Sequence, residues 1–271
     1  MEAAEEHDEQ LTHFEFEQEE TKLKKTREMC SNGCDRPANV CLCGVLPTQP
    51  ILTSTKIVIL HHPHELRHKL ATVPILTKCL INCQTIIGRR LRFGSSTLLD
   101  SLHNASINDS TRPYHAVFLF PGTASSPSVE LNQWASSNMG RININSLVLI
   151  VFDGTWKHAK EMVGASYTFL SKFASQVCLD YDAGVDGESI YNSELVLRKE
   201  PFGGCMSTIE AVARSLRVLE KPNGIEIENA LISVLRTMVQ FQACHLKTVK
   251  PRPKLSKKGK EAIKSLKLSD E

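Results

Sequence analysis

A carboxylic acid, a hydroxyl and an indole follow a run of six apolar residues in the segment LVLIVFDGTW, residues 147–156. The apolar run predicts a buried strand that ends at Asp153. Ligands of open parallel α/β sheets bind at this end of the strands, where the loops meet the amino termini of helices. Asp153 is therefore a candidate site residue; alternatively, it caps the next helix or orients Thr155.

Four cysteines within fourteen residues form a second set with its own chemistry. They have the spacing C-x3-C-x6-C-x-C and are Cys30, Cys34, Cys41 and Cys43. Four thiolates at such short range can hold one tetrahedral zinc ion, and a site filled by protein ligands is structural, with no open position for catalysis. The alternative is a cluster of small buried side chains, although the stretch is polar and has no apolar periodicity.

The chain is long enough and apolar enough to form a hydrophobic core that positions these residues. The chain has 271 residues, of which 41% are hydrophobic and 23% are charged, as is usual for one large or two small globular domains. No apolar run approaches the length of about eighteen residues that a membrane span needs, and the acidic start of the chain is unlike a secretory signal. We therefore expect an intracellular protein with reduced cysteines and no membrane association.

Charge is distributed unevenly along the chain. The first 20 residues contain nine of the 30 acidic residues and neither Lys nor Arg, so the remainder carries 32 basic and 21 acidic residues. This basic excess suits a polyanionic partner, although a solvated surface would also explain it. Residues 1–27 are expected to form a disordered leader, and residues 247–271 a disordered basic tail.

Strand and helix patterns alternate between these ends. Strands are predicted at residues 56–62, 84–87, 114–120, 147–153 and 176–179. Helices are predicted from residue 74, at 95–102, 129–136 and 156–170, from residue 207, and at about 226–246. Cys79 and Cys83 are expected four residues apart on the helix that Pro74 starts, as core residues. A polar loop is predicted at residues 180–193. The alternation indicates an α/β fold.

Ser207 and Glu210 have the spacing of a capping box, at the start of a helix that follows a glycine pair. That structural role alone explains both residues. A binding role is compatible with it, because a capped helix start also presents backbone amides to a ligand.

Several short motifs follow the cysteine cluster in a fixed order. They are His62-Pro63-x-Glu65, Phe120-Pro121-Gly122, Asp153-x-Thr155-Trp156, Leu197-Arg198 and Ser207-Thr208-x-Glu210-Ala211. Together they resemble the DTW-domain family, the tRNA-uridine aminocarboxypropyltransferases, over roughly residues 30–245. The resemblance is closer to the eukaryotic branch, whose members act on the D-loop of tRNA, and Ala71 stands where bacterial-type members tend to carry Asn.

The resemblance implies a SPOUT-like fold, which is an α/β sheet with helices on both faces and a carboxyl-terminal trefoil knot that binds S-adenosylmethionine. It places the DTW domain at residues 28–246, between the leader and the tail. Within that domain the zinc knuckle would span residues 30–44 and the catalytic core residues 55–246.

The resemblance also assigns roles to individual residues. Catalysis would fall to Asp153, Thr155 and Trp156, and the substrate side to His62 and Glu65. S-adenosylmethionine would be bound by Pro121, Gly122, Leu197, Arg198, Ser207, Thr208 and Glu210. The Trp156 indole would stack on adenine or uracil, or pack in the core.

The implied reaction transfers the 3-amino-3-carboxypropyl group of S-adenosylmethionine to N3 of a tRNA uridine and releases methylthioadenosine. Two alternatives are a SPOUT-type RNA methyltransferase and a zinc-dependent RNA-binding protein without catalysis. The expected partner is tRNA, with no stable protein partner. Because a basic tail also suits a nuclear signal, the expected location is the cytoplasm, the nucleus or both.

Overall fold

The computed structural model describes residues 28–68, 70–107, 115–123, 126–140, 146–179 and 206–244. The predicted leader, the loop at 180–193 and the basic tail lie outside these residues. The strands of the described part are β1 Lys56–His61, β2 Cys83–Ile87, β3 His115–Leu119, β4 Val129–Glu130, β5 Leu147–Asp153 and β6 Ala174–Cys178. Its α-helices are α1 Val73–Cys79, α2 Thr97–Ile107, α3 Leu131–Asn138, α4 Trp156–Leu170, α5 Thr208–Leu219 and α6 Gly224–Ala243.

The described strands form one parallel sheet in the order β2-β1-β5-β3-β6-β4. All seven residues of β5 are buried, because a parallel strand in the middle of a sheet is covered by helices on both faces. The side chains of Leu147, Leu149 and Val151 pack with α1, α3, α5 and α6. Those of Val148, Ile150 and Phe152 pack with α2 and α4 on the other face. The predicted α/β fold with helices on both faces is confirmed.

Two local predictions were wrong. Cys79 ends α1 and Cys83 begins β2, because Leu80 turns to extended backbone and the amide of Ile81 donates to the carbonyl of Ile51 at 3.0 Å. The helix predicted from residue 129 begins at Leu131 instead, since the two residues before it pair with β6 as β4.

The sheet has a switch point between β1 and β5. The chain leaves β1 through α1 towards the β2 edge, and it leaves β5 through α4 towards β6, on the other side of β5. Crevices in α/β proteins form where neighbouring strands send their connections in opposite directions. His61 and Asp153 are paired across this point, at the carboxyl ends of their strands. No helix in the described part of the chain is long and apolar enough to span a membrane.

Candidate active site

The carboxylate of Asp153 is held on both of its oxygens. Nδ1 of His61 lies 2.6 Å from Oδ2, and the hydroxyl of Thr208 donates to Oδ1. An ionised carboxylate only accepts hydrogen bonds, so His61 donates through Nδ1–H, and lone pairs of the carboxylate remain for a further donor. The Asp153 side chain keeps 11% of its surface exposed, whereas His61 keeps 2%. Three elements, β1, β5 and the start of α5, thus fix one acid at the switch point.

The turn after Asp153 is built for close packing. The hydroxyl of Thr155 accepts from the amide of His158 at 3.3 Å and caps α4. The interpretation of Asp153 as the helix cap was therefore wrong, and Thr155 has that role. A Cβ atom at Gly154 would lie 3.1 Å from Cβ of His158 and 3.3 Å from Cβ of His62. Glycine lets α4 start directly beside the end of β1.

A cavity of about 140 Å³ opens beside Asp153, on the β3 and β6 side of the sheet. Its walls are mostly aliphatic and aromatic, with Leu119, Phe120, Pro121, Phe152, Gly154, Trp156, Leu179, Met206, Thr208 and Ala211 among them. The half-buried ring of Trp156 lies 6.0 Å from that of Phe120, between centroids. Flat apolar walls of this kind suit a purine ring.

The segment that carries Pro121 and Gly122 folds around β6. The side-chain amide of Gln176 donates to the carbonyls of Phe120 and Pro121, at 3.2 and 3.1 Å. A Cβ atom at Gly122 would lie 2.7 Å from the backbone nitrogen of Ser128. Only glycine allows the backbone at residues 122 and 128 to approach so closely. The hydrogen bonds of Gln176 hold the segment at Phe120 and Pro121 against β6.

The side chains of Ser207 and Glu210 have different roles at the start of α5. The hydroxyl of Ser207 accepts from the amide of Glu210 at 3.3 Å and caps the helix. The carboxylate of Glu210 is fully buried and pairs with Arg214 at 3.1 Å. The predicted helix cap is confirmed, and Thr208, one residue further, lines the cavity and binds Asp153.

Three imidazoles cluster next to Asp153. The His62 amide donates to the Asp153 carbonyl at 2.9 Å, and the rings of His62 and His158 stack 3.8 Å apart with a 13° tilt. Burial, with the charges of His158 and His64, lowers the pKa of His62. Nitrogens of all three lie within 4.8 Å of one another, but stacked rings cannot both direct in-plane lone pairs at one ion. The cluster therefore presents ring faces and N–H groups instead of a metal site.

His62 leads into a 3-10 turn, Pro63–Glu65. The amide of Glu65 donates to the carbonyl of His62 at 2.9 Å, and both side chains are buried. The motif His62-Pro63-x-Glu65 thus forms one compact turn beside the switch point.

The four cysteines of the knuckle come together at one point. Their sulfur atoms lie within 4.8 Å of one another, and the Cys30–Cys41, Cys30–Cys43 and Cys34–Cys41 pairs are 3.2, 3.5 and 3.7 Å apart. A tetrahedral zinc ion with bonds of about 2.3 Å requires sulfur separations of about 3.8 Å. Backbone amides of Asn32 and Cys43 also point at the sulfur atoms of Cys30 and Cys41. The residues therefore fit a zinc ion with small adjustments.

Lys78 on α1 ties the knuckle to the core. Its ammonium group lies 2.8 Å from the Asp35 carboxylate and 2.6 Å from the Gly33 carbonyl.

The thiols of the knuckle differ in pKa. The hydrogen bonds from Cys41 and from the Asn32 amide lower the pKa of Cys30 to about 6. Burial and the neighbouring thiols raise the pKa of Cys43 to about 12.

The sequence model of the DTW domain matches residues 27–243. This chain belongs to the DTW-domain family. It is 52% identical over 240 residues to tRNA-uridine aminocarboxypropyltransferase A of Arabidopsis thaliana, covering 86% of this chain and 87% of that protein. It is 31% identical to tRNA-uridine aminocarboxypropyltransferase 2 of Macaca fascicularis over 82% of this chain and 65% of that protein. No solved structure matches the chain.

The structure of this DTW-domain protein brings together residues from separate motifs. Asp153 and Thr208 are in contact, and Pro121 and Trp156 line the adjacent cavity. Leu197 and Arg198 lie outside the described residues. The assigned catalytic and binding roles stay predictions.

Sequence reasoning missed three residues of this region. None of the three was predicted as a site residue. His61 binds the carboxylate of Asp153, the ring of His158 stacks on that of His62, and Gln176 donates to the carbonyl of Pro121. The only sequence signal was the His61-His62 pair at the end of a predicted strand.

Proposed function

We propose that this protein is a tRNA-uridine aminocarboxypropyltransferase, which transfers the 3-amino-3-carboxypropyl group of S-adenosylmethionine to N3 of a tRNA uridine. The observation that carries the proposal is the fixed carboxylate of Asp153 beside an apolar cavity at the switch point. It stands in a chain 52% identical to a protein named for this activity. The resemblance of the sequence to the eukaryotic branch of the family favours a uridine of the D-loop.

The cavity next to Asp153 is the proposed binding site of S-adenosylmethionine. Phe120 and Trp156 offer flat walls for adenine, and Pro121 and Thr208 come from the loop after β3 and the start of α5. The proposed set also includes Gly122 in the loop after β3 and two residues at the start of α5, Ser207 and Glu210. It is completed by two residues of the chain between β6 and α5, Leu197 and Arg198. Arg198 suits the carboxylate of the donor, because guanidinium and carboxylate pair in a bidentate fork.

The geometry of the donor decides the reaction. A sulfonium has three activated carbons, so the group that is transferred is the one whose carbon faces the nucleophile. N3 of the uracil forms the new bond to the methylene carbon. The bond between that carbon and sulfur breaks, its electron pair stays on sulfur, and neutral methylthioadenosine leaves. Alignment of this kind supplies about 7–11 kcal/mol of the rate enhancement.

Asp153 is the proposed acceptor of the N3 proton. His61 and Thr208 leave lone pairs of its carboxylate free while they fix its direction. General base catalysis by a positioned group contributes about 10²–10⁴-fold. Thr155 supports this role by starting α4 next to Asp153, and Trp156 by closing the cavity. His62 and Glu65 lie on the opposite side of Asp153, and we place them on the RNA side of the site or near the transferred group.

A SPOUT-like knot is part of the proposal. Its support is the segment directly after β3, where the carbonyls of Phe120 and Pro121 accept hydrogen bonds from Gln176 of β6. β6 lies between β3 and β4, two strands that precede it in the chain. A chain that continues from β6 to α5 beneath this segment would be threaded.

Zinc is the proposed metal of the knuckle, held by Cys30, Cys34, Cys41 and Cys43. When bound, it would cross-link the segment before β1 and replace a core of apolar side chains there. With four protein ligands it would take no part in the transfer.

Incubation of tRNA with S-adenosylmethionine labelled either in the methyl group or in the carboxyl group tests the proposal. Carboxyl label on the RNA, with methylthioadenosine released, is the expected result. Methyl label on the RNA would instead indicate a methyltransferase, and binding without either label an RNA-binding protein without catalysis. Asp153→Asn should lower turnover about 10²–10⁴-fold with the donor still bound, and full turnover by this variant would exclude the base assignment.

A further inference from the structure

The loop after β2, residues 88–94 with the sequence GRRLRFG, is strongly basic and exposed. Arg89, Arg90 and Arg92 are exposed, and Phe93 keeps 58% of its surface accessible. We propose that this arginine loop binds the phosphate backbone of tRNA next to the uridine that is modified. The inference rests on the proposed function, because it names the RNA-binding surface of that same site.

The arginine loop begins at the sheet edge that carries Asp153. Ile87, His61 and Asp153 occupy matched positions at the ends of β2, β1 and β5, so the end of β2 lies about 10 Å from Asp153 at a strand spacing of about 4.8 Å. The amide of Gly88 donates to the carbonyl of His61 at 3.0 Å. The donor cavity lies on the other side of Asp153. RNA that reaches Asp153 from the β2 side would therefore meet the donor across the carboxylate.

The fold holds the arginine loop in place. The side chain of Leu91 is 1% exposed, and its amide donates to the hydroxyl of Ser166 on α4 at 2.8 Å. The amide of Gly94, a residue with a φ of 87°, donates to the carboxylate of Asp100 at 2.9 Å. Because the backbone is anchored at both points, the arginines on either side of Leu91 stay at the surface, and binding costs little ordering of the backbone.

The charge of the arginine loop is not neutralised locally. Residues 88–96 contain three arginines and no acid, and within the described part of the chain none of these guanidinium groups forms an ion pair. The positive field extends to the site, where Arg89 is one of the groups that lower the pKa of His62.

The chemistry of these side chains fits a nucleic-acid backbone. Guanidinium groups bind phosphate oxygens in a bidentate manner. The rings of Phe93 and His103 form an edge-to-face pair, 5.6 Å apart between centroids, and Phe93 remains largely exposed. Its exposed surface can stack on a base that flanks the bound phosphates.

The test measures tRNA binding by fluorescence anisotropy as a function of salt, for Arg90→Gln/Arg92→Gln and for a matched control, Lys221→Gln/Arg236→Gln. Arg89 is left in place because its charge reaches His62. The control removes the same charge from exposed positions after α5 and on α6. Lys221 lies at the other end of the sheet from Asp153, because the neighbouring Glu220 binds the amides of Ser54 and Thr55 ahead of β1. Two lost phosphate contacts should reduce the slope of log K against log salt by about 1.4–1.8 and weaken binding, with the control like wild type.

The outcomes separate this inference from the proposed function. Equal affinities and slopes for the arginine variant and wild type overturn the inference, even if the wild type transfers label. An equal loss in both double variants would reduce the effect to net charge and also overturn it. Binding that depends on the arginine loop, in a protein that transfers no label, supports the inference and rejects the proposed activity. A wild type that does not bind tRNA rejects both.

Discussion

Nδ1 of His61 and Oδ2 of Asp153 are 2.6 Å apart, although 92 residues separate them in the chain. Their strands are parallel neighbours, and the two residues occupy paired positions at the ends of those strands. His61 is buried and Asp153 retains a small exposed surface, so His61 acts on the site through Asp153. We therefore describe His61 as a positioning residue.

His61→Leu should lower kcat about 10–100-fold, because the carboxylate loses the donor that fixes its direction. The KM for S-adenosylmethionine should change little. His61→Asn places a side-chain amide near the position of Nδ1, so it should recover most of the loss. Steady-state kinetics with purified tRNA measures both values. Equal kcat for the Leu and Asn variants would contradict a role through this hydrogen bond.

Gly122→Ala should destabilise the folded chain by about 1–3 kcal/mol, since the new methyl group would overlap the backbone of Ser128. It should also weaken donor binding, because the loop around β6 would shift. Denaturant unfolding and calorimetric titration with S-adenosylmethionine give the two quantities. A methyl group added to Gly164 on α4 would meet no atom within 4 Å, so Gly164→Ala should raise stability by about 0.5–1 kcal/mol. Equal behaviour of the two variants would show that the loop is not tightly packed.

Cys34→Ser should abolish zinc binding and lower the Tm, because Cys34 is the buried member of the cluster. Atomic absorption of the purified protein should find about one zinc ion per wild-type chain. Cys244 is exposed and distant in sequence, which makes Cys244→Ser the control, with wild-type zinc content and Tm. A wild-type protein without zinc, or a Cys34 variant of unchanged stability, would exclude the structural zinc ion.

Stability should fall as the pH decreases below about 6.5. Burial and the charges of His158 and His64 lower the pKa of His62 below its unfolded value of 6.5. The unfolded chain therefore binds the proton first, and unfolding is favoured progressively from that pH down to the pKa in the folded chain. Thermal melts of wild type and His62→Gln between about pH 7 and pH 5 measure the effect.

The Tm of His62→Gln should depend less on pH in this window than that of wild type. His68 is exposed, so His68→Gln serves as the control and should follow the wild-type curve. Parallel curves for all three proteins would mean that His62 is not held neutral by its surroundings.

Local patterns in the sequence determined several elements. The apolar run predicted β5, and the helical spacing of apolar residues predicted α4 with the bounds that the structure has, residues 156–170. The spacing of four cysteines predicted a cluster that the structure confirms. Each of these signals lies within about fifteen neighbouring residues, where geometry follows directly from spacing.

Tertiary structure alone decided the partners of Asp153. His61 and Thr208 come from elements 92 and 55 residues away, and Gln176 meets Pro121 only because β6 inserts beside β3. Apolar periodicity shows which face of a strand is buried but not which strand lies next to it. The order of strands in the sheet supplied that information, and with it the direction in which the Asp153 carboxylate points.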